Sequence, residues 1–532
     1  MKRSVLVIII LLSVGLRGVA LSWLDYDMVL APWPWLATDN PAALVTYQPA
    51  DSSQRLVADA AVGMVTGHGH LAPLEASPHE WNVKGTARAV FRSSSRVVMR
   101  GGMDYHHRWG SDACGSVWME PGQMPFDIVE YTDSTRGNIR QERYGLNGAV
   151  GVSVGRGLSL GGRFAYASGS STKQKDPRHT NSLMELDVRA GVMWQHSGWV
   201  VGAAYLLRRF TEAVQFRTYG RTDRTYGYLV DFGATYGRSE TTDGKGYTSS
   251  DNEKPLLDMR HGLAIEAGYH RGIYSVGGEW RWHHRTGHYG VQSPSFVDFN
   301  KHHADCWSLA GWLQRSTADN LFKINFNWTH ENLRDYERTY AIVSREGVSD
   351  IEYFDDRLSG KRQSYSYRVS LQAHWGIERS LAAWQARVQV DYRNDDVTSV
   401  VYPYYRLQRV HATSVSADVV RSWLVAGDRV WSLVAGALWS RGGGTPAADS
   451  TFGTPADGNT PPALLTETLM RRHEWLVAPR LGASLGVRHS FPVGKYVRIY
   501  ADARYGYTHA WNIEYCRGNH RHRASLAVGC QF

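Results

Sequence analysis

Five basic residues flank one serine turn: Lys84, Arg88 and Arg92 lead into Ser93-Ser94-Ser95, and Arg96 and Arg100 lead away from it. On extended backbone alternate side chains share a side, so these five and Asp104 stand on one face of a hairpin. A symmetric register sets Arg92 opposite Arg96, Arg88 opposite Arg100 and Lys84 opposite Asp104. Like charges directly opposite repel, so the hairpin presents a basic ladder that needs acids or anions in front of it. Further along, the same parity carries Arg163, Arg189 and Arg208, then Arg281, Arg368, Arg387, Arg480, Arg488 and Arg504. Carboxylates on that parity (Glu185, Asp187, Glu266, Glu279, Asp391 and Asp502) are fewer. Asp187 should face Arg208 across the turn at Ser197-Gly198. The chemistry open to such residues is electrostatic. Either they give an aqueous passage a positive potential that draws in polar or anionic solutes, or they pair with the carboxylates and hold a wall in shape. Lys84, Arg88, Arg92, Arg96 and Arg100 are the first candidates for solute contact, with Asp104, Arg163, Asp187, Arg189, Arg208, Glu266 and Glu279 beside them.

Other chemistries find little support. No H-E-x-x-H string occurs. Asp104 and His106 share a parity, as a protease built on a barrel would need, but a chain with 22 His forms such pairs by chance. His68, His70, His79, His106, His107, His283, His284, His288, His302 and His303 fall at rim positions, and three or four converging could bind a transition metal. Adjacent His-His pairs point to opposite faces of a strand, which works against a shared site. Cys114, Cys306, Cys516 and Cys530 show no C-x-x-C spacing; Cys114 and Cys516 fall in external loops where pairing is open to them, and Cys530 falls on the lipid-facing parity. The net charge of +9 is spread through the chain without a stacked-aromatic groove, so nucleic acid is not an expected partner. No catalytic residue, metal or cofactor is expected.

These charges are positioned by alternating segments. Trp81–Phe91 and Val97–Tyr105 place apolar residues on one parity and polar, Gly-containing positions on the other. Tyr144–Val154 with Leu158–Tyr166, Met184–Trp194 with Trp199–Leu207, and Leu263–Tyr269 with Tyr274–Trp282 repeat the pattern around short turns. So do Trp307–Leu313 with Phe322–Trp328, Tyr365–Trp375 with Trp384–Tyr392, Val415–Trp423 with Trp431–Trp439, and Leu481–Val487 with Val497–Tyr507. Long polar connections alternate with these turns: Gly110–Gln141, Arg209–Arg260, Thr329–Gln363 and Arg441–Arg472. The Arg209–Arg260 stretch is long enough to hide another hairpin. Trp194 and Trp199, Trp375 and Trp384, and Trp423 and Trp431 flank short turns, while Tyr205, Trp282, Trp328, Tyr392 and Trp439 mark the other strand ends. Two aromatic belts suit two headgroup layers. With a first strand at Leu56–Met64 and a last at Ala524–Phe532, the reading is all-β: a single transmembrane antiparallel β-barrel of about 18 strands, roughly 14 to 20, with short periplasmic turns and long extracellular loops. The mean hydropathy of −0.38 leaves no room for a helical membrane protein.

The ends add a domain plan. Lys2-Arg3, the apolar run Ser4–Gly15 and Gly18-Val19-Ala20 read as a signal peptide over residues 1–20. Residues 21–53, rich in Trp and Pro, are too irregular for a strand and read as a periplasmic lead-in or a plug; residues 54–532 are the barrel. The Asn40-Pro41-Ala42 triplet reads as an Asx-Pro turn and also resembles a feature of long-chain fatty-acid transporter barrels, whose type needs an apolar lumen pocket and a lateral gap. The ending at Phe532 resembles the carboxy-terminal insertion signal of bacterial outer-membrane barrels, which implies the barrel assembly machinery and outer-membrane lipid as partners. The signal peptide, Asn40–Leu44, the Trp/Tyr-rich strands and Phe532 together resemble uncharacterised outer-membrane barrels of Gram-negative anaerobes of the Bacteroidota type, encoded near TonB-dependent receptors and surface lipoproteins. That resemblance implies a place in the outer membrane and a transport or accessory role beside such a receptor or lipoprotein. The expected function is a channel or accessory transport protein for polar or anionic solutes. The alternatives are a non-catalytic scaffold that grips a surface lipoprotein or receptor, and a transporter of hydrophobic compounds.

Overall fold

The structure, a computed structural model, describes residues 24–49, 51–219, 226–242, 254–293, 296–345, 348–494 and 496–532. The expected signal peptide lies outside the described residues. Eighteen antiparallel strands close on themselves. In chain order they are β1 (Leu56–His68), β2 (His79–Arg92), β3 (Val97–Ala113), β6 (Gly137–Gly155), β7 (Leu158–Lys173), β8 (Arg178–His196), β9 (Trp199–Arg217), β12 (Leu256–Arg271) and β13 (Tyr274–Ser293). There follow β14 (Phe296–Ser316), β15 (Asn320–Arg345), β16 (Val348–Glu378), β17 (Leu381–Val401), β18 (Tyr404–Val425), β19 (Arg429–Thr451), β20 (Arg480–Val493), β21 (Val497–Ala510) and β22 (His520–Gln531). Each pairs with its neighbour, and β22 returns to β1 with Val62 opposite Val528. Phe532 completes the seam by exchanging backbone hydrogen bonds with Ala58 at 2.9 and 3.1 Å. Closure removes the free edges that open sheets leave, the condition for strands to cross a bilayer.

The parity read from the sequence holds around the wall. Outward positions expose an apolar band, among them Val62, Leu146, Phe164, Val201, Ile265, Leu371 and Leu485. Aromatic pairs bound it: Trp375 opposite Trp384 and Trp423 opposite Trp431 near the short turns, and Tyr367 opposite Tyr392 near the other end. An outward apolar band between aromatic girdles, on a closed wall with a polar interior, is the architecture of an outer-membrane β-barrel. Among the described residues no helix is long and apolar enough to cross a membrane.

Two sequence expectations change. The turn between β2 and β3 is two residues longer than expected: Ser93 and Ser94 N–H donate to Val97 O, and Ser94 Oγ accepts from the N–H of Arg96 and Val97. The register therefore shifts, with Arg92 opposite Val98, Arg88 opposite Gly102, Lys84 opposite His106 and Arg100 opposite Val90. The like-charged pairs disappear, and Arg96 lies in the periplasmic turn. The long polar connections are also largely structured. Thr329–Gln363 is the outer part of one hairpin, β15 paired with β16 up to Arg345 opposite Val348. Its residues alternate in polarity without lipid on one side, so they read as loop.

The Arg209–Arg260 stretch does contain a hairpin, β10 (Tyr226–Asp231) with β11 (Gly237–Thr242), but it stands outside the barrel wall. It joins β4 (Gly115–Ser116) and β5 (Asp127–Glu130) of the Gly110–Gln141 connection in a separate four-stranded sheet. This sheet buries Ile128, Tyr228 and Val230 against Phe210, Val214, Phe216 and Tyr289 on the inner side of the upper wall. A cap thus sits in the outer mouth. In the fourth connection β19 runs on to Thr451, and a helix spans Thr466–Val477. Within residues 24–49 there is a short helix, α1 (Tyr26–Leu30), followed by turns at Pro34–Ala37 and Pro41–Thr46; the helix of the fourth connection is α2.

Leu485 tests the outward assignment. It is 70% exposed and pairs with Ala435, midway between Trp431 and Trp439 on β19. Leu485→Arg should cost about 2–4 kcal/mol of folding free energy in lipid, the penalty for an arginine at the bilayer midplane. Reversible unfolding of the reconstituted barrel by denaturant reads this directly.

Candidate functional site

Segments from outside the wall enter the lumen from both ends, and Arg88, Arg92, Arg100, Arg189, Arg208, Glu266 and Glu279 of the charge pattern are among the residues that hold them. From below, residues 24–49 enter beside the β16–β17 turn, where Leu24 N–H donates to Arg379 O at 2.8 Å. Asp25 caps α1 by accepting from the N–H of Asp27 and Met28. Tyr26, Val29, Leu44 and Tyr47 then pack on the inward valines Val57, Val90 and Val98 of β1–β3. At Asn40-Pro41 the chain makes the expected Asx turn, with Asn40 Oδ1 accepting from Ala42 N–H at 2.9 Å.

The seat of that turn is a glycine track. Gly151, Gly161 and Gly191 lie opposite one another on the inner side of β6, β7 and β8. A Cβ on Gly161 would stand 2.2 Å from Ala42 N, and one on Gly191 2.0 Å from Asn40 Oδ1. Only a residue without a side chain admits backbone at this distance.

Charged groups supply the remaining ties. Arg88 reaches Asp27 at 2.8 Å and Asp59 at 3.3 Å, and stacks on the Tyr26 ring at 4.3 Å. Arg92 donates to Val45 O and Tyr47 O at 3.3 and 2.6 Å, and Arg100 to Leu36 O at 2.9 Å. Glu266 accepts from Asn40 Nδ2 at 2.6 Å, and Glu279 from Asp39 N–H at 2.7 Å. Arg189 and Arg281 each pair with one carboxylate oxygen of Asp39. Arg163 lines the cavity beside this segment, Asp104 lies against Gly145 on the inner wall, and Lys84 forms no ion pair among the described residues. Asp187 faces Arg208 in register as expected, yet its side chain bonds Arg189 at 2.7 and 2.8 Å while Arg208 pairs with Glu185 at 2.8 Å.

From above, the turn Pro121–Gln123 reaches into the lumen. Arg208 donates to Gln123 Oε1 at 2.8 Å, Arg285 to Gln123 O, and Arg143 pairs with Glu120. Between this turn and Asp39 lies a chamber of about 710 Å³. Seven arginines line it (Arg143, Arg189, Arg208, Arg260, Arg281, Arg362 and Arg393) against five carboxylates. Asp258 and Asp395 pair with Arg260 and Arg393 from outside the lining, so donors face the chamber with counter-charge set back. A second cavity of about 700 Å³ beside residues 24–49 shares Asp39 with the chamber. A third, about 230 Å³ under the cap, shares Arg362 and Arg393 with it. The three form a series along the barrel, with a charged residue at each junction.

One arginine latches the cap. Arg472 on α2 reaches Glu75 at 2.7 Å, Asp127 at 3.0 Å and Asp231 at 2.7 Å, which joins four external connections at one guanidinium. Burial opposes its charge, but the three carboxylates outweigh that and hold it well above the ordinary guanidinium value. Burial also pushes Asp127 up to about 7, with Asp231 and Glu75 adding to the shift while Arg472 and the Ser116 hydroxyl oppose it.

Sequence reasoning missed Asp39, Arg143, Arg260, Arg362, Arg393 and Arg472, because most lie in stretches read as lead-in or loop. A usable signal was present. Phe210, Val214 and Phe216 continue the inward parity of β9 past Tyr205 as apolar residues, which only a covering layer explains. His68 and His79 meet at 2.6 Å with the His70 ring beside them, but among the described residues no group of side chains is placed to hold a metal ion; His106 bonds Asn82, and His302 bonds Asp258. Cys114 and Cys516 are buried and unpaired, their thiols donating to Glu130 O and Arg471 O. G-x-S-x-G strings at Gly151–Gly155, Gly157–Gly161 and Gly482–Gly486 lie along β6, β7 and β20, without the strand-to-helix elbow that such a nucleophile needs.

Solved structures with related form include the ferric preacinetobactin receptor BauA of Acinetobacter baumannii, at 7% identity and a TM-score of 0.40, covering 90% of this chain and 80% of that one. The ferric-catecholate import receptor Fiu of E. coli K12 gives 8% and 0.38, with 89% and 81% covered. The RagAB peptide transporter gives 7% and 0.39, with 90% and 86% covered. A search of curated proteins finds no match. Residues 62–532 match the family described as "Family of unknown function (DUF6850)", and the chain belongs to that family.

Two outcomes test the closures. Gly161→Val should unseat residues 40–44 while leaving the barrel folded, seen as faster hydrogen exchange in that segment with unchanged heat-modifiable mobility on gels. For the cap, the raised Asp127 value means the open form releases its proton first as pH climbs. Closure is then favoured at pH 5 and weakens through pH 7, so protease nicking within 115–131 should increase from pH 5 to 8. Asp127→Asn should flatten that dependence.

Proposed function

We propose that this family member is a gated transport barrel of the outer membrane that carries a small polar or anionic solute through its arginine-lined chamber. The observation that carries the reading is the chamber itself: guanidinium donors converge on a space of about 710 Å³, and the wall on either side of it is bridged by segments that are not part of the barrel. An arginine ring in a restricted passage attracts anions and repels cations. A barrel of this strand number has an interior wide enough for solute once its fillings move. Inward arginine and glycine suit a hydrophobic cargo poorly.

A second reading, a docking barrel for a surface lipoprotein or receptor, draws on the β15–β16 hairpin. Its outer end exposes Ile342 at 65% and Phe354 at 66%, apolar surface at the level of the loops. A partner retained under mild detergent by the intact chain, and lost with Phe354→Glu, would favour it.

Planar-bilayer recording tests the transport reading. The intact protein should conduct rarely. A variant lacking residues 24–49 should give anion-selective currents, and adding Arg189→Gln with Arg281→Gln should move the reversal potential toward cations. A variant without residues 24–49 that stays silent, or whose selectivity ignores both substitutions, removes the proposal.

A further inference from the structure

Asp39 is the point at which the plug meets the chamber. It alone of residues 24–49 lines that space, and it also lines the cavity beside the plug. Its two carboxylate oxygens are divided between two guanidiniums: Oδ1 meets Arg189 on β8, and Oδ2 meets Arg281 on β13. β9 and β12 separate these strands in the wall, so the two arginines converge on one carboxylate from different parts of the barrel. Each also keeps an acid of its own strand, Asp187 at 2.7 Å from Arg189 and Glu279 at 3.3 Å from Arg281. The pair would therefore remain compensated if Asp39 left, with the donors that Asp39 occupied turned to the chamber.

We propose that Arg189 and Arg281 form a carboxylate-binding subsite which Asp39 fills in the closed state, and that a carboxylate-bearing solute entering the chamber displaces Asp39 and so loosens the plug. The proposal rests on the transport reading and adds the solute's chemistry and the means of gating. A carboxylate between two guanidiniums is a strongly matched hydrogen-bonding arrangement. An intramolecular carboxylate and a solute carboxylate cannot hold it together, so binding of one disfavours the other by the same factor. Displacing Asp39 also disturbs the neighbouring ties of the same turn, from Asp39 N–H to Glu279 and from Asn40 to Glu266.

Succinate is the probe, at constant ionic strength balanced with chloride. In the reconstituted full chain it should speed hydrogen exchange across residues 34–46 and raise channel opening, and chloride alone should do neither. Asp39→Asn keeps the shape of the side chain and removes the competing charge. Exchange there should be faster without succinate, and the concentration for half-maximal succinate binding should fall by about fivefold or more, the size of a typical coupling between two sites. Phosphate in place of succinate separates a carboxylate site from a general oxyanion site; an equal response to phosphate overturns the assignment to carboxylates. Succinate binding that is unchanged or weaker in Asp39→Asn, or exchange in 34–46 that ignores succinate, overturns the displacement itself. Where one of these results overturns the displacement and the barrel lacking residues 24–49 conducts anions, this inference alone has failed; where that barrel is silent, the transport reading has failed first.

Discussion

Guanidinium groups fixed on the inside of a closed wall are the constraint on which the rest depends. A strand that must face acyl chains on one side has only its other side for polar residues, and closing the sheet turns all those sides toward one axis. This chain places more arginine there than nearby wall carboxylates can match. The surplus is met by groups that come in from outside the wall: Asp27, Asp39 and backbone carbonyls from below, Glu120 and Gln123 from above. The segments that enter from below and above thus supply counter-charge as well as filling.

The ties differ in how far they are shielded from water. Arg88 and Asp27 are 43% and 69% exposed, a pairing of the kind worth about 0–1 kcal/mol. Asp39 and Arg189, at 16% and 15%, are far more shielded from water, so their mutual attraction is screened less. The wall is held by a continuous backbone ladder over all eighteen strands. Segments joined to it by a few side-chain contacts open at lower free energy than the ladder does. Such a molecule can rearrange its contents while its wall stays intact.

Much of this was legible in the sequence, for a physical reason. Lipid imposes a period of two on every spanning strand, and the pattern repeats often enough to give eighteen strands, their parity and their turns. Arg88, Arg189, Glu266 and Glu279 were read as inward from that rule alone. What faces them was not legible. No periodicity marks Asp39 as the partner of Arg189 across 150 positions, or Arg472 as the partner of Glu75, Asp127 and Asp231. The upper strands escaped notice too, because above the bilayer no apolar outward band is required; Arg143, Arg362 and Arg393 lie in that region. The ladder at Arg88–Arg100 was read in the wrong register because a serine-rich turn admits several lengths, and Ser94 settles it through its hydroxyl.

The glycine track shows how residues 40–42 fit this wall. Loss of side chains at Gly151, Gly161 and Gly191 weakens a strand, since glycine costs backbone entropy and offers nothing to pack. A barrel that needed only an open lumen would gain from residues with side chains at those positions. Here the inner surface of β6–β8 is pared back to backbone where Asn40-Pro41-Ala42 lies against it. That complementarity is independent of any charge. It seats the turn so that Asp39, next to it in the chain, stands between Arg189 and Arg281. Shape fixes the position and charge fixes the state. The two functions fall on different residues, so an anion that took the place of Asp39 would release the charge hold and leave the turn resting on shape alone, more open to exchange.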